Sequence, residues 1–482
     1  MAKSKFDRLL GAQLGFEDDD TVTTGDEEIL SAAAQPESDI ADMAPDVAEI
    51  EEASSTADAL TDDSANLEEV AEALSASAAA GGISAESAVY ARLAIRGIVG
   101  RHSLALADAM VPSMESFGGS SSRARATASM EGAIVEALKS FWNAIVAKMK
   151  KLFAYVKNWV MKVFGAAPKL KARAEAIAKK AANITGAAEE KTMDLSLVHQ
   201  LQIENKAPDA AKATAAAKAL GKMTAAALGS KTSGQYEGVF TAFETLLDQV
   251  DGMTPDKDVK SVAEYYHANY TTTSGPVLAK LTEVVKASSE GLQLATANDA
   301  TRWGSDMNVS TSAAHPMFGD KMVVVSTSDS KVTAKGGAID TGFTLARKTR
   351  DTHIRITDIA VKPKEIDNSG SFKTLSSSDI RSLCGEVEDM CDSVITYKKS
   401  WENREKYFAK MDASAKKAIA NSEKDKDEVG IKPRLVKDIA LGMSSAMRTG
   451  VNYETALMTY TLSVGRALLT WCERSVAQYK SS

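Results

Sequence analysis

Apolar residues recur in steps of three and four through residues 132–172, and lysines occupy many of the positions between them. No acidic residue lies between Glu136 and Glu175. This spacing places the apolar side chains on one face of an α-helix and the lysines on the other. The pattern therefore predicts a cationic amphipathic helix. Its basic positions are Lys139, Lys148, Lys150, Lys151, Lys157 and Lys162, and Trp142 and Trp159 lie among its apolar positions.

Two more helical patterns lie near the C-terminus. Apolar residues follow a near-heptad spacing through residues 377–420, and a second stripe runs through residues 435–471. Ser376 and the two serines after it can cap the first helix. A charged segment at 423–428 predicts a turn between the stripes. We expect residues 365–482 to form a long antiparallel helix pair.

The middle of the chain changes from helical to strand-like patterning. Residues 187–315 predict a helical domain, and residues 316–364 predict a small antiparallel sheet, because β-branched residues alternate there between short turns. The expected helices lie at about 189–205, 208–228 and 235–250; the expected strands lie at 322–326, 331–335, 339–346 and 353–361. The fold class predicted is mainly α with a small antiparallel β insert (α+β).

The N-terminal third has a different composition. Residues 1–16 are weakly amphipathic, and residues 17–82 are rich in acidic and small residues and contain no aromatic residue. Such a segment buries too little apolar area to offset its ordering entropy, so disorder is expected, with a fraying helix around 65–79. A helix at 87–110 and a flexible basic linker at 117–125 follow. We therefore divide this part into an acidic disordered leader (1–86), a helix with a linker (87–131) and the cationic helical segment (132–186).

The distribution of charged residues also separates residues 1–86 from the rest of the chain. The formal net charge is −8, but residues 1–86 hold 22 acidic and three basic residues, so the remainder carries +11. Residues 132–482 alone carry +9. An acidic segment in front of a basic body is typical of an acidic tail or a pro-segment.

Catalytic and cofactor motifs are not found in the sequence. It has no phosphate-binding glycine loop and no histidine pair with metal-ligand spacing, and its three cysteines lack the spacing of a zinc site. We expect no enzyme activity, no cofactor and no metal. No secretory signal or membrane span is predicted, so synthesis as a soluble cytoplasmic protein is expected.

The cationic helix has three interpretations. It is a surface helix docked on the following domain, or it lies on an anionic membrane surface, since tryptophans opposite lysines suit that interface. In the third interpretation its lysines neutralise DNA phosphates without reading sequence.

A small tripeptide ending in glutamate recurs at the boundaries between these segments. Ser84-Ala85-Glu86, Ser113-Met114-Glu115 and Ser129-Met130-Glu131 are each followed by a small residue. A similar triplet also occurs downstream at residues 288–290, so one triplet alone is a weak signal.

The acidic leader, the triplets and the Trp/Phe/Lys helix together resemble the internal head proteins of large tailed bacteriophages. The resemblance implies packaging into the prohead as a precursor, through a targeting peptide at residues 1–16 that contacts capsid or scaffold proteins. It implies cleavage by a prohead protease after Glu86, Glu115 or Glu131. The serine at the first triplet position is closer to giant phages than to T-even-like phages.

The same resemblance implies that the basic product stays in the head with packaged DNA, bound non-specifically, and enters the host with it. The expected location is therefore the interior of the virion head. Two alternatives remain: a membrane-active protein acting through residues 132–172, and a prohead scaffolding or core protein.

Overall fold

Three long helices form the centre of the fold. The computed structural model describes residues 43–79, 84–102, 120–186, 188, 191–195, 198–254, 262–297, 307–328, 344–359, 371–422 and 431–479. In chain order the helices are α1 (Met43–Ala79), α2 (Ala85–Arg101), α3 (Ser120–Ala182), α4 (Val198–Leu201), α5 (Ala210–Leu228), α6 (Ser230–Asp251), α7 (Val262–Ser288), α8 (Thr344–Asp351), α9 (Ser377–Ser422) and α10 (Ile431–Ala477). The central three are α3, α9 and α10, which pack against one another.

The core is built from the apolar stripes of these helices. Trp159 of α3, Tyr397 of α9 and Trp471 of α10 are fully buried. Phe153 of α3 stacks on Trp401 of α9, with ring centroids 6.3 Å apart. The near-heptad spacing thus predicts the packing of α9 and α10 correctly, and Ser376 caps α9 by accepting a hydrogen bond from the backbone of Asp379 (3.2 Å).

Short helices pack around the central three. The alanine-rich α5 packs on α9, with Ala213 and Ala217 buried where small side chains allow close approach. Helix α6 contacts α7, α9 and α10, and α8 lies against α10. The predicted helices at 208–228 and 235–250 correspond to α5 and α6.

Two small antiparallel sheets complete the fold. Their strands are β1 (Thr192–Asp194), β2 (Ala295–Thr296), β3 (Met307–Thr311), β4 (Lys321–Ser328), β5 (His353–Asp358) and β6 (Ser371–Lys373). The larger sheet has the order β2-β3-β4-β5, with Val324 of β4 opposite Arg355 of β5. Strands β1 and β6 pair where the chain leaves α3 and enters α9, and Phe372 of β6 packs edge-on against Trp471.

The predicted fold class is confirmed, but several local predictions are wrong. Part of the predicted strand at 339–346 belongs to α8, and β2 and β3 lie in the region predicted to be helical. The predicted helix at 189–205 is replaced by β1, the short α4 and a turn in which Glu204 and Asn205 have positive φ. The predicted strand at 331–335 and the turn at 423–428 lie outside the described residues.

The N-terminal prediction also changes. The acidic composition predicted disorder over 17–82 with a helix only near 65–79, whereas residues 43–64 are helical as well. The predicted linker at 117–125 is helical from Ser120 onward, so α3 begins upstream of residue 132. Residues 1–42 lie outside the described part of the chain.

Candidate functional site: an acidic helix docked on the basic central helix

The apolar face of α3 is covered by other helices. Phe141, Ile145, Leu152 and Trp159 are all buried, because α1, α9 and α10 pack along this face. The stripe that predicted an amphipathic helix is therefore part of the core. This outcome is nearest to the docked-helix interpretation, although α3 lies at the centre of the fold rather than at its surface.

The lysines of α3 lie on its outer side. Lys150, Lys151 and Lys162 are exposed, and Lys148 and Lys157 are half-buried. Trp159 was predicted to contact DNA or a membrane. That prediction is wrong for this conformation, because the indole is fully buried. The side chains of Lys139 and Trp142 lie outside the described part of the chain.

Helix α1 lies antiparallel to the middle of α3. Asp46, near the start of α1, pairs with Lys162 through Oδ2 and Nζ, 2.6 Å apart. Asp63, further along α1, contacts His102, whose ring packs edge-on against Phe141 at 5.3 Å. Residues later in α1 therefore lie beside residues earlier in α3, so the two helices run in opposite directions.

The composition of α1 explains why it needs a basic partner. Residues 43–79 contain ten acidic and no basic residues, so an isolated α1 would repel itself. Its large buried apolar side chains include Ile50, Leu60 and Leu67. Helicity here comes from docking onto α3 rather than from the segment alone.

The most buried arginine of the site is Arg448 of α10, which pairs with α1. The guanidinium of Arg448 donates to Asp58 Oδ1 from Nη2 (2.6 Å) and Nε (3.1 Å). The Arg448 side chain is only 2% exposed. Its other hydrogen bonds among the described residues go to Ser444 and Ser445, one turn back on α10, and to the sulfur of Met149 on α3. A buried guanidinium needs such partners, because its desolvation is costly.

A second cluster joins α1 to α2. Arg101 donates to Asp63 from Nε (3.0 Å) and Nη2 (2.5 Å), and His102 Nε2 lies 2.7 Å from the same carboxylate. Burial would raise the pKa of Asp63, but hydrogen bonds from His102, Asn66 and Arg101 outweigh it, so the pKa lies below its ordinary value. The carboxylate is therefore ionised at neutral pH.

Two further contacts extend the interface. Arg350 of α8 pairs with Asp62 of α1, and Asn452 of α10 donates to Ser54 Oγ at 2.6 Å. Four carboxylates of α1 thus meet cations from four different elements of the body.

The three triplets occupy different settings. Ser84 caps α2 by accepting a hydrogen bond from the backbone N–H of Ser87 (3.1 Å), and Glu86 is exposed in the first turn of α2. Glu115 lies outside the described residues. Glu131 is inside α3, and its side chain is not described.

The downstream triplet at residues 288–290 is much less accessible. Ser288 and Ser289 are 1% and 8% exposed, although the side chain of Glu290 is 61% exposed. Ser289 also donates to the carbonyl oxygen of Val285. A protease that reads all three residues in extended form reaches the triplet at 84–86 more easily.

Comparison with known families decides the assignment. The family model of the phiKZ-like phage internal head proteins matches residues 45–474. The chain belongs to this family. No curated protein and no solved structure matches it. Membership places this internal head protein among structural proteins of the phage head interior.

The matched region of the internal head protein begins within α1. The docked acidic helix, the central helix α3 and the pair α9 and α10 are thus all part of the region common to the family.

The internal head protein keeps its described thiols buried. Burial chiefly raises the pKa of Cys391 to about 12, and a hydrogen bond with Cys384 together with burial raises the pKa of Cys472. Thiols of this kind are poor nucleophiles at neutral pH. Among the described residues, no group of three or more potential ligands could hold a metal ion. No described helix is long and apolar enough to cross a membrane.

Sequence reasoning found the lysines of α3 but missed the arginines and the histidine that hold α1. Arg101, Arg350 and Arg448 lie on three separate elements and have no shared local pattern. The one sequence feature that pointed to a basic partner surface was that residues 43–79 contain acidic residues and no basic ones.

Proposed function

We propose that this internal head protein is made as a precursor, packaged into the prohead and cleaved by the prohead protease after Glu86. The basic product then remains in the head with the packaged DNA and enters the host with it. The protein acts by binding rather than by catalysis. Residues 1–16 act as the targeting peptide for capsid or scaffold proteins, and synthesis takes place in the host cytoplasm.

The exposed triplet at residues 84–86 is the main observation in favour of this proposal. Glu86 and Ser84 are both exposed, and they lie at the end of a helix, where local unwinding is least costly. Cleavage after Glu131 would require α3 to unwind in its interior. Glu86 is for this reason the preferred site, and Glu115 and Glu131 are secondary ones.

Charge supports the association with DNA. Cleavage after Glu86 removes 22 acidic and three basic residues and leaves a chain of net charge +11. Exposed lysines such as Lys150 and Lys151 can contact phosphates without reading sequence. Such a product binds DNA non-specifically and more weakly as salt is raised.

The membrane-active role and the scaffolding role each require something that the internal-protein role does not. A membrane-active role through residues 132–172 requires the apolar face of α3, which other helices cover in the precursor. A scaffolding role requires the protein to leave before the head is filled. Its presence in full heads therefore separates an internal protein from a scaffold.

Mass spectrometry of the chain from purified particles tests the cleavage. The expected N-terminus is Ser87, and Glu86→Gln should abolish that product, because the glutamate carboxylate is the recognised group. Glu290→Gln, in the partly buried downstream triplet, is the matched control and should leave the product unchanged. A start at Ser116 or Gly132 would refute Glu86 as the site, and an intact Met1 or Ala2 would refute maturation altogether.

A further inference from the structure

The side chains that pair with the carboxylates of α1 come from the body of the protein and not from the leader. They are Lys162 of α3, Arg448 of α10, Arg350 of α8, and Arg101 with His102 of α2. Arg448 is buried and His102 is largely buried, whereas Lys162 and Arg101 keep 45% and 58% of their side chains exposed beside α1. We call these five residues the covered basic surface. All of them follow Glu86 in the chain, so cleavage there would leave all five in the product.

Arg448 depends on α1 for its counter-charge. Among the described residues, its hydrogen bonds go to Asp58 of α1, two serine hydroxyls and the sulfur of Met149. If α1 left, a guanidinium that is now 2% exposed would lose its carboxylate partner. It would then have to be hydrated or find another anion.

The residues of the covered basic surface are spread along α1. The paired carboxylates run from Asp46 to Asp63, which is about 25 Å of helix at about 1.5 Å per residue. Helix α1 is thus an acidic rod that also carries exposed acids, among them Glu49, Glu51 and Glu52. A nucleic-acid strand presents a similar line of negative charge.

We propose that α1 covers a phosphate-binding surface and that this covered basic surface contacts the backbone of double-stranded DNA once α1 is removed. The proposal rests on the proposed function, because it supplies the contact between the cleaved protein and the packaged DNA. In the precursor, α1 occupies the surface and keeps the protein from binding DNA during assembly.

The chemistry of the surface favours DNA. Four of the five groups are arginine or lysine side chains already paired with carboxylates, and the guanidinium fork of the arginines binds phosphate oxygens in the same way. The surface also contains apolar residues of α3 that contact α1, and for this reason anionic vesicles are the competing ligand in the test.

The experiment uses the full, uncleaved chain and a 30-base-pair DNA duplex. Asp58→Asn, Asp62→Asn and Asp63→Asn together remove three of the paired charges on α1, which should loosen its docking. Affinity for the duplex, measured by fluorescence anisotropy, should rise by at least about tenfold at low salt, with a steeper dependence on salt concentration.

The matched control has the same change in net charge. Glu49→Gln, Glu51→Gln and Glu52→Gln remove three exposed acids of α1 that lie on its outer side. Their effect on affinity should be less than about twofold. Circular dichroism should show that both triple variants keep their helical content. If the first variant loses it, Asp58→Asn alone is used, with Glu51→Gln as its control.

Two results would overturn the proposal. An equal gain in both triple variants would mean that net charge alone sets DNA affinity. Binding to vesicles of anionic phospholipid without a gain for the duplex would assign the surface to lipid. The assay does not depend on cleavage, so an intact chain in virions would refute maturation while leaving this measurement valid.

Discussion

At the scale of single residues, the buried carboxylate of Asp438 has a raised pKa. Asp438 of α10 is 4% exposed and accepts hydrogen bonds from Tyr270 Oη (2.7 Å) and from the backbone N–H groups of Leu345 (3.1 Å) and Ala346 (2.9 Å). Burial raises its pKa to about 6, and these hydrogen bonds only partly offset that increase. The side chain therefore caps the start of α8 from a distant helix.

The raised pKa of Asp438 predicts a specific pH dependence. Between pH 4 and pH 6 the folded protein holds a proton that the unfolded chain has lost, so the contribution of Asp438 to stability falls as pH rises through this range. With an unfolded pKa of 3.8, the decrease is about 3 kcal/mol and is complete above pH 6. Asp438→Asn lacks this titration. The difference in unfolding free energy between wild type and variant, from urea denaturation at pH 4 and pH 7, should change by about 2 kcal/mol, because the unfolded carboxyl is still partly protonated at pH 4. A constant difference would contradict the assignment.

At the scale of elements, α10 is fitted closely to α6. A Cβ added at Gly450 would lie 2.7 Å from Tyr236 Oη and 2.9 Å from its ring, and that tyrosine also packs under the guanidinium of Arg404 at 3.7 Å. Gly450→Ala should destabilise the protein by about 1–3 kcal/mol, because the tyrosine has to shift within a filled core. Thermal unfolding measures the effect.

Gly385 of α9 is the matched control. It is also inside a long helix, but no atom lies within 4 Å of a Cβ built there. Gly385→Ala should stabilise the protein by about 0.5–1 kcal/mol through helix propensity alone. Similar losses at both sites would show that helix packing does not determine the outcome.

Long elements were predictable from sequence and short ones were not. The stripes of α3, α9 and α10 repeat over many turns, so periodicity alone identifies them. Helix α8 has only eight residues, and its first N–H groups are satisfied by Asp438, 92–93 residues away in sequence. Because the residue that caps α8 belongs to another helix, the local sequence pattern does not show where α8 begins. Part of α8 was for this reason predicted to be a strand.

For the whole molecule, the site could be predicted only in part. Charge segregation located both the acidic segment and the basic α3, since it depends on composition alone. The docking of α1 could not be derived, because Arg101, Arg350 and Arg448 converge on it only through the tertiary fold. Low apolar content predicted disorder, but tertiary partners supplied the missing stabilisation.

Helix α1 packs along a long stretch of α3 but buries few large apolar side chains, and we predict for this reason that it opens separately from the rest of the molecule. Its large buried apolar side chains include Ile50, Leu60 and Leu67, and its ion pairs reach partly exposed carboxylates. In contrast, α9 buries an apolar stripe against both α3 and α10. Amide hydrogen exchange should be faster in α1 than in residues 380–397 of α9, by about two orders of magnitude.

Salt supplies the control for this prediction. Raising NaCl from 0.05 to about 0.5 M should speed exchange in α1, because screening weakens its ion pairs, while exchange in α9 should change little. Exchange at one common rate in both helices would contradict the prediction. Helix α1 would then belong to the cooperative core, and a cut after Glu86 would separate it from the chain without removing it from the fold.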